Sequence, residues 1–207
     1  MLMFRCNLTH VFAVLLFIGG CQSSANIQSL DAMEPLEGRR AVVGDKVVLQ
    51  KQSGERFENS VVAVDERFIS GVTSDGCAWK LKRNSFAPTN EWVNCESRGM
   101  RPSERVSDSI FPMKKGTKET WRYRKADDDD SAWTGTRICE TVEQVQITVP
   151  AGKFDTFHVR CVDGYWTYEY FLRADGITVK QIQWRLSDGV KPSAAYELVE
   201  FVPAKAE

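Results

Sequence analysis

The chain has 207 residues, 43% hydrophobic and 27% charged, with 27 Lys and Arg nearly balancing 28 Asp and Glu. That mix belongs to a globular protein, and the near-zero net charge argues against a nucleic-acid binder or a polybasic membrane-surface module. Eleven Phe, six Trp and five Tyr tilt the chain toward strand, and its two histidines leave little material for His-based catalysis.

At the amino terminus Arg5 is the lone charge before an apolar run, Val11-Phe12-Ala13-Val14-Leu15-Leu16-Phe17-Ile18, followed by Gly19, Gly20 and Cys21. The run is too short to span a bilayer, which takes about 20 apolar residues. A positive start, a short apolar segment and small residues at its end are the layout of a secretory signal. Ile18-Gly19-Gly20-Cys21 resembles the lipobox of bacterial lipoproteins. The resemblance implies a signal peptide over residues 1–20, cleavage before Cys21, and acyl chains on the sulfur and new amino group of Cys21. Several chains matter, because one alone anchors only marginally. In enteric-type lipoproteins Asp after the acceptor commonly retains the protein in the inner membrane. Gln22 therefore implies the cell envelope at the outer membrane, facing the periplasm. Removing residues 1–20 takes one cation, Arg5, and no acid, and leaves His158 as the mature histidine.

Export also frames the cysteines. With Cys6 lost and Cys21 acylated, Cys77, Cys95, Cys139 and Cys161 remain, which in an oxidising compartment read as two disulfides with three possible connectivities. Cys77–Cys95 and Cys139–Cys161 is the expected pairing, since each pair brackets a short antiparallel-looking segment. A zinc site is disfavoured because no C-x-x-C spacing exists and one His remains.

Residues 21–40, with Ser23, Ser24, Asn26, Pro35 and Gly38, show no sustained period and predict a tether. Residues 41–96 predict a small SH3-like β module: Val47 and Leu49 alternate with polar neighbours, and Asp65-Glu66 and Asp75-Gly76 mark turns. Cys77, Trp79 and Leu81 share one face at period two. Residues 97–116, punctuated by Gly99, Pro102, Pro112 and Gly116, predict a linker and a soft domain boundary.

Residues 117–203 predict an antiparallel β meander or curved half-barrel sheet, which makes the whole chain all-β. Asp163-Gly164, Asp175-Gly176 and Asp188-Gly189 separate strand-like runs, and a change of apolar phase between Val142 and Val145 predicts a bulge. The run Val149-Pro150-Ala151-Gly152-Lys153-Phe154 resembles a V-P-A-G-x-F hairpin of exported bacterial proteins of unassigned function. That likeness implies two strands of a curved sheet and no activity, and those families mostly lack the Cys139/Cys161 pair.

No catalytic set is assembled. A serine nucleophile needs a base in reach, and His158 sits mid-strand with no G-x-S-x-G elbow in the chain. Glu140, Glu143 and Glu169 could serve a paired-carboxylate hydrolase, but acids on strands are usually a solvated face. Asp127–Asp130 lacks the alternating spacing that wraps calcium. No metal or cofactor is expected. Aromatics carry the best hint of binding: Trp166, Tyr168 and Tyr170 on one face of a strand are expected in the core, which leaves Tyr165 and Phe171 as possible ligand contacts.

The reading is a membrane-anchored envelope lipoprotein, a non-enzymatic binding or structural module. Its partner would be a cell-wall component, an apolar ligand or another protein, and not nucleic acid. An envelope-anchored hydrolase is the alternative. Intact-mass or acyl-labelling analysis of exported protein should find acylated Cys21, and Cys21→Ser should yield an unacylated product. A soluble, unmodified mature wild-type chain would end the lipoprotein reading.

Overall fold

A computed structural model describes residues 28–29, 33–127, 132–185 and 192–205. The lipobox, Cys21 and Asp128–Asp130 lie outside the described residues. Everything regular is strand: β1 (Gln28–Ser29), β2 (Lys46–Lys51), β3 (Arg56–Val64), β4 (Phe68–Thr73), β5 (Ala78–Lys82), β6 (Glu91–Val93), β7 (Gly99–Met100), β8 (Ser103–Arg105), β9 (Lys118–Asp127), β10 (Ala132–Val149), β11 (Gly152–Asp163), β12 (Trp166–Leu172), β13 (Thr178–Arg185) and β14 (Ala194–Val202).

The strands join in one antiparallel sheet, and β9 pairs with β10 as well as with β7, which closes a 12-strand barrel. Short β1 and β8 add to the outside of that ring, on β10 and β9. The sequence predicts a meander or half-barrel in the carboxyl-terminal half; the observed sheet goes further and closes. The expected small β module is not a barrel of its own. Its first strand bonds to the last strand of the chain, with Leu49 opposite Leu198, and β7 at its far end bonds to β9.

Two other stretches differ from expectation for one reason: their apolar residues plug the interior rather than alternate along a strand. Residues 97–116 contain β7 and β8 and then send Ile110, Phe111 and Met113 into a core with Phe86, Phe157, Val159 and Leu172. Residues 33–40 also pack onto the barrel. Leu36 exchanges backbone hydrogen bonds with Met113, and the Arg40 N–H donates to the Asp175 carbonyl at 2.7 Å. Gly176 is required there: its φ is +81°, and a Cβ would lie 2.6 Å from the Arg39 Cα.

The expected bulge falls at a register shift between Thr141 and Glu143. Beyond it the β10–β11 hairpin reaches β14, where the Ala151 N–H donates to the Leu198 carbonyl at 2.9 Å. Val145, Ile147 and Val149 thereby form a second core with Phe171, Val179 and Leu198. Cys139 and Cys161, directly opposite in register, are bonded within the first core, and Cys77 is bonded to Cys95.

Three glycines sit directly opposite an aromatic residue on the next strand: Gly71 faces Trp79, Gly99 faces Trp92 and Gly135 faces Tyr123. In each case the ring lies across the bare backbone, and a Cβ would come within 2.1, 2.4 and 2.4 Å of ring atoms, respectively. A ring laid flat over a glycine restores the packing that the missing side chain forfeits. The consequence is measurable as a double-mutant cycle in urea denaturation. Gly71→Ala should cost about 1–3 kcal/mol by displacing the Trp79 indole, and most of that cost should vanish in a Trp79→Ala background.

Candidate functional site

Closing the sheet turns one face of every strand inward. The plug segments fill part of that interior, and the rest is a cavity of about 680 Å³. That volume lies within the range of small-molecule sites. Its walls come from nearly the whole circumference. Phe57 and Trp79 come from β3 and β5, Tyr168 and Tyr170 from β12, Gln181 and Gln183 from β13, and Tyr196 from β14. Cys77, Trp79 and Leu81, aligned by their period of two, all line it. The Trp79 indole N–H donates to Asn59 Oδ1 at 3.2 Å, which fixes that ring in place.

Besides Arg40, which pairs with Asp45, three arginines line the cavity, each set against an aromatic face. The Arg39 guanidinium lies 4.4 Å from the Phe86 ring centre, Arg101 lies 5.0 Å from that of Trp92, and Arg137 lies 4.6 Å from that of Tyr168. Such stacking is worth about 0.5–2 kcal/mol and holds the planar cation still. The three differ in how their charge is met. Arg137 donates to Asp163 Oδ2 from Nε at 3.0 Å and from Nη2 at 2.7 Å, while the Tyr123 hydroxyl donates to Asp163 Oδ1. Burial and that carboxylate push the Tyr123 hydroxyl upward in pKa, so it stays a proton donor. Arg39 and Arg101 have no carboxylate within ion-pair distance among the described residues, and the buried Nε of each has no hydrogen-bond acceptor. Burial lowers the pKa of both, and for Arg101 the neighbouring Arg137 adds repulsion.

A buried acid belongs to the same interior. Glu119 is fully buried on β9, and one carboxyl oxygen accepts the Phe86 N–H at 2.5 Å. Burial raises its pKa, against the opposing pull of the Phe86 N–H, the Trp121 indole and the charges of Arg105 and Arg39.

The residues singled out in the sequence fall elsewhere. Tyr165 is 77% exposed at the β11–β12 turn, and Phe171 is 4% exposed, stacked on His158 at 4.6 Å and packed in the second core. Neither lines the cavity. Tyr168 and Tyr170, expected as core, do line it, because the inner face of a wide barrel is partly a lumen. Glu140 pairs with Lys118 at 3.1 Å, while Glu143 and Glu169 flank His158 at 3.5 and 3.9 Å, all away from the cavity. The acids that do line it are tied down locally. Asp45 accepts from Arg40 and from the Ala204 N–H, and Asp75 accepts from Thr73 and the Cys77 N–H. Arg39, Arg101, Arg137 and Asp163 were not legible as site residues. The one available signal was parity, which places Arg137 on the same strand face as Cys139.

No protein-family model and no curated protein matches the sequence. Among solved structures, the chain is similar to the hypothetical lipoprotein YmcC from Escherichia coli, with 11% identity and a TM-score of 0.51 over 79% of this chain and 87% of that one. A protein from Bacteroides fragilis, described as exported and as having a YmcC-like fold, aligns at 10% identity with a TM-score of 0.42, over 81% of this chain and all of the other. The Escherichia coli likeness establishes a shared fold, the YmcC-like barrel.

The burial of Glu119 has a pH signature. Its folded pKa is raised, so the native state holds the proton more tightly than the unfolded chain, and stability contributed at low pH is lost as pH rises through the folded value. Glu119→Gln keeps an acceptor for the Phe86 N–H without the buried charge. Urea denaturation should show wild-type stability falling relative to Glu119→Gln as pH rises above the ordinary glutamate value of about 4.3. A difference that grows in favour of the wild type as pH rises would contradict this assignment.

Proposed function

We propose that this protein is a lipid-anchored, non-enzymatic envelope protein whose barrel holds an apolar or ring-bearing ligand in its lumen. The observation that carries the binding role is the aromatic-lined cavity of about 680 Å³ inside the closed sheet. Pockets of that size, apolar with a few placed polar groups, are the default ligand sites of β-barrels. Acids in the lumen are engaged as structural acceptors, which favours binding over hydrolysis by paired carboxylates. The anchoring role rests on Ile18-Gly19-Gly20-Cys21, and an outer-membrane site facing the periplasm rests on Gln22. A fold neighbour that carries the description of a lipoprotein is in keeping with that placement.

The neutral fluorophore N-phenyl-1-naphthylamine tests the lumen. It should bind saturably, near one per chain, with a rise in fluorescence. Gln181→Trp or Gln183→Trp, which fill the cavity from β13, should abolish binding while circular dichroism stays that of the wild type. Absence of saturable binding, or binding indifferent to both folded variants, would overturn the proposal.

A further inference from the structure

Cations outnumber acids on the lumen wall, yet most of them are already neutralised by a carboxylate: Arg40 by Asp45, Lys51 by Glu55, Lys180 by Glu197 and Arg137 by Asp163. Among the described residues, Arg39 and Arg101 are the exceptions. They enter from different parts of the chain, Arg39 from the segment clamped against Gly176 and Arg101 from the β7–β8 connection, and both line the same cavity. Each guanidinium is laid on a ring, Phe86 or Trp92, with a buried Nε–H that finds no acceptor. Buried donors are nearly always satisfied, and an unsatisfied charged donor is the costliest kind. Solvent in the cavity can hydrate the outward nitrogens, but it leaves the two guanidinium groups without a paired carboxylate among the described residues, in a partly apolar chamber. The complement to two fixed, planar cations amid aromatic rings is an anion on an apolar or ring body. Guanidinium is suited to carboxylate, which it can grip through paired N–H donors.

We infer that the lumen selects an amphipathic organic anion, its carboxylate or equivalent acid group held by Arg39 and Arg101 and its body laid against Trp79, Tyr170 and Tyr196. This deepens the lumen-binding reading above and rests on it. The carboxylate could be carried by a fatty acyl chain or by the ring of an acidic sugar, and the chemistry at the arginines is the same for both.

A pair of dyes separates charge recognition from lumen binding. 1-Anilinonaphthalene-8-sulfonate and N-phenyl-1-naphthylamine share one aromatic body, and only the first carries an anion. The sulfonate dye should bind more tightly than the neutral one by about tenfold or more, and added salt should erode that advantage. Arg101→Gln should remove most of the advantage, lowering sulfonate-dye affinity far more than neutral-dye affinity, and Arg39→Gln should do the same. Arg101→Lys, which keeps charge without the fork, should fall between. Should Arg39→Gln fail to fold, the Arg101 pair carries the test. Palmitate and a uronic-acid oligosaccharide then compete against the bound sulfonate dye; displacement by either supports the anion site and names its source. Equal affinity for the two dyes, or a sulfonate preference untouched by Arg101→Gln, overturns the anion proposal while lumen binding stands. Failure of both dyes to bind overturns both.

Discussion

The pairing of β9 with β10, together with that of β14 with β2, removes every free edge from the ring of strands. An open sheet of this length would present rows of unpaired N–H and C=O groups at each end, the usual template for aggregation. Closure has a second consequence, set by strand number. About eight strands enclose an interior that side chains can fill, whereas a 12-strand ring is wider. The chain meets that excess with irregular segments: Leu36, Phe86, Ile110, Phe111 and Met113 enter the ring and pack against β10, β11 and β12. They fill one side only. The cavity is therefore a remainder of barrel geometry, and its lining follows from which inward side chains the plug leaves uncovered.

The electrostatics of the interior follow from the same partial filling. Arg137 and Asp163 are both almost fully buried, and removing one partner of such a pair typically costs about 3–5 kcal/mol because the other charge is stranded. The Tyr123 hydroxyl uses the second oxygen of Asp163, and Arg137 Nη1 donates to the Phe86 carbonyl, so the pair also fastens the plug to the wall. Arg39 and Arg101 stand nearer the open space and lean on rings instead of carboxylates. Within one lumen, Arg137 is met by a buried carboxylate, whereas Arg39 and Arg101 are set against rings alone among the described residues.

Local features of the fold were legible in the sequence; closure was not. Asp75-Gly76 and Asp175-Gly176 mark turns because a positive φ is easily read from residue type, and the break in phase after Val142 marks a bulge because period two is strict. The β14–β2 seam joins residues near opposite ends of the chain, and nothing local encodes which distant edge a strand will meet. β7 and β8 hold two and three residues, too few for any period to register. Gly99 reads as linker punctuation although, like Gly71 and Gly135, it is the seat of a ring on the neighbouring strand. Asp163 reads as the first half of an Asp-Gly turn, which hides its role as the partner of Arg137. The cavity is hidden from the sequence for a related reason. Face parity on β12 correctly separates Tyr168 and Tyr170 from Phe171, but only a closed ring reveals that the tyrosine face borders a chamber.

The position of Arg39 connects the lumen to the proposed anchor. The sequence predicts a tether over residues 21–40; its described residues 33–40 dock on the barrel and deliver a cation into it. Still earlier, Gln28 and Ser29 pair with Gln146 and Val145 on the far half of β10. If Cys21 carries the acyl chains, the seven residues from Cys21 to Ile27 are what separates lipid from the first bonded strand, and they can span at most about 25 Å. A leash of that length holds the β10–β11 hairpin end of the barrel within reach of the bilayer surface and restricts how far the barrel can turn from it. Were Cys21 so anchored, Arg39 and β1 would belong to one stretch of chain, and β1 pairing would bias the orientation of the cavity relative to the bilayer.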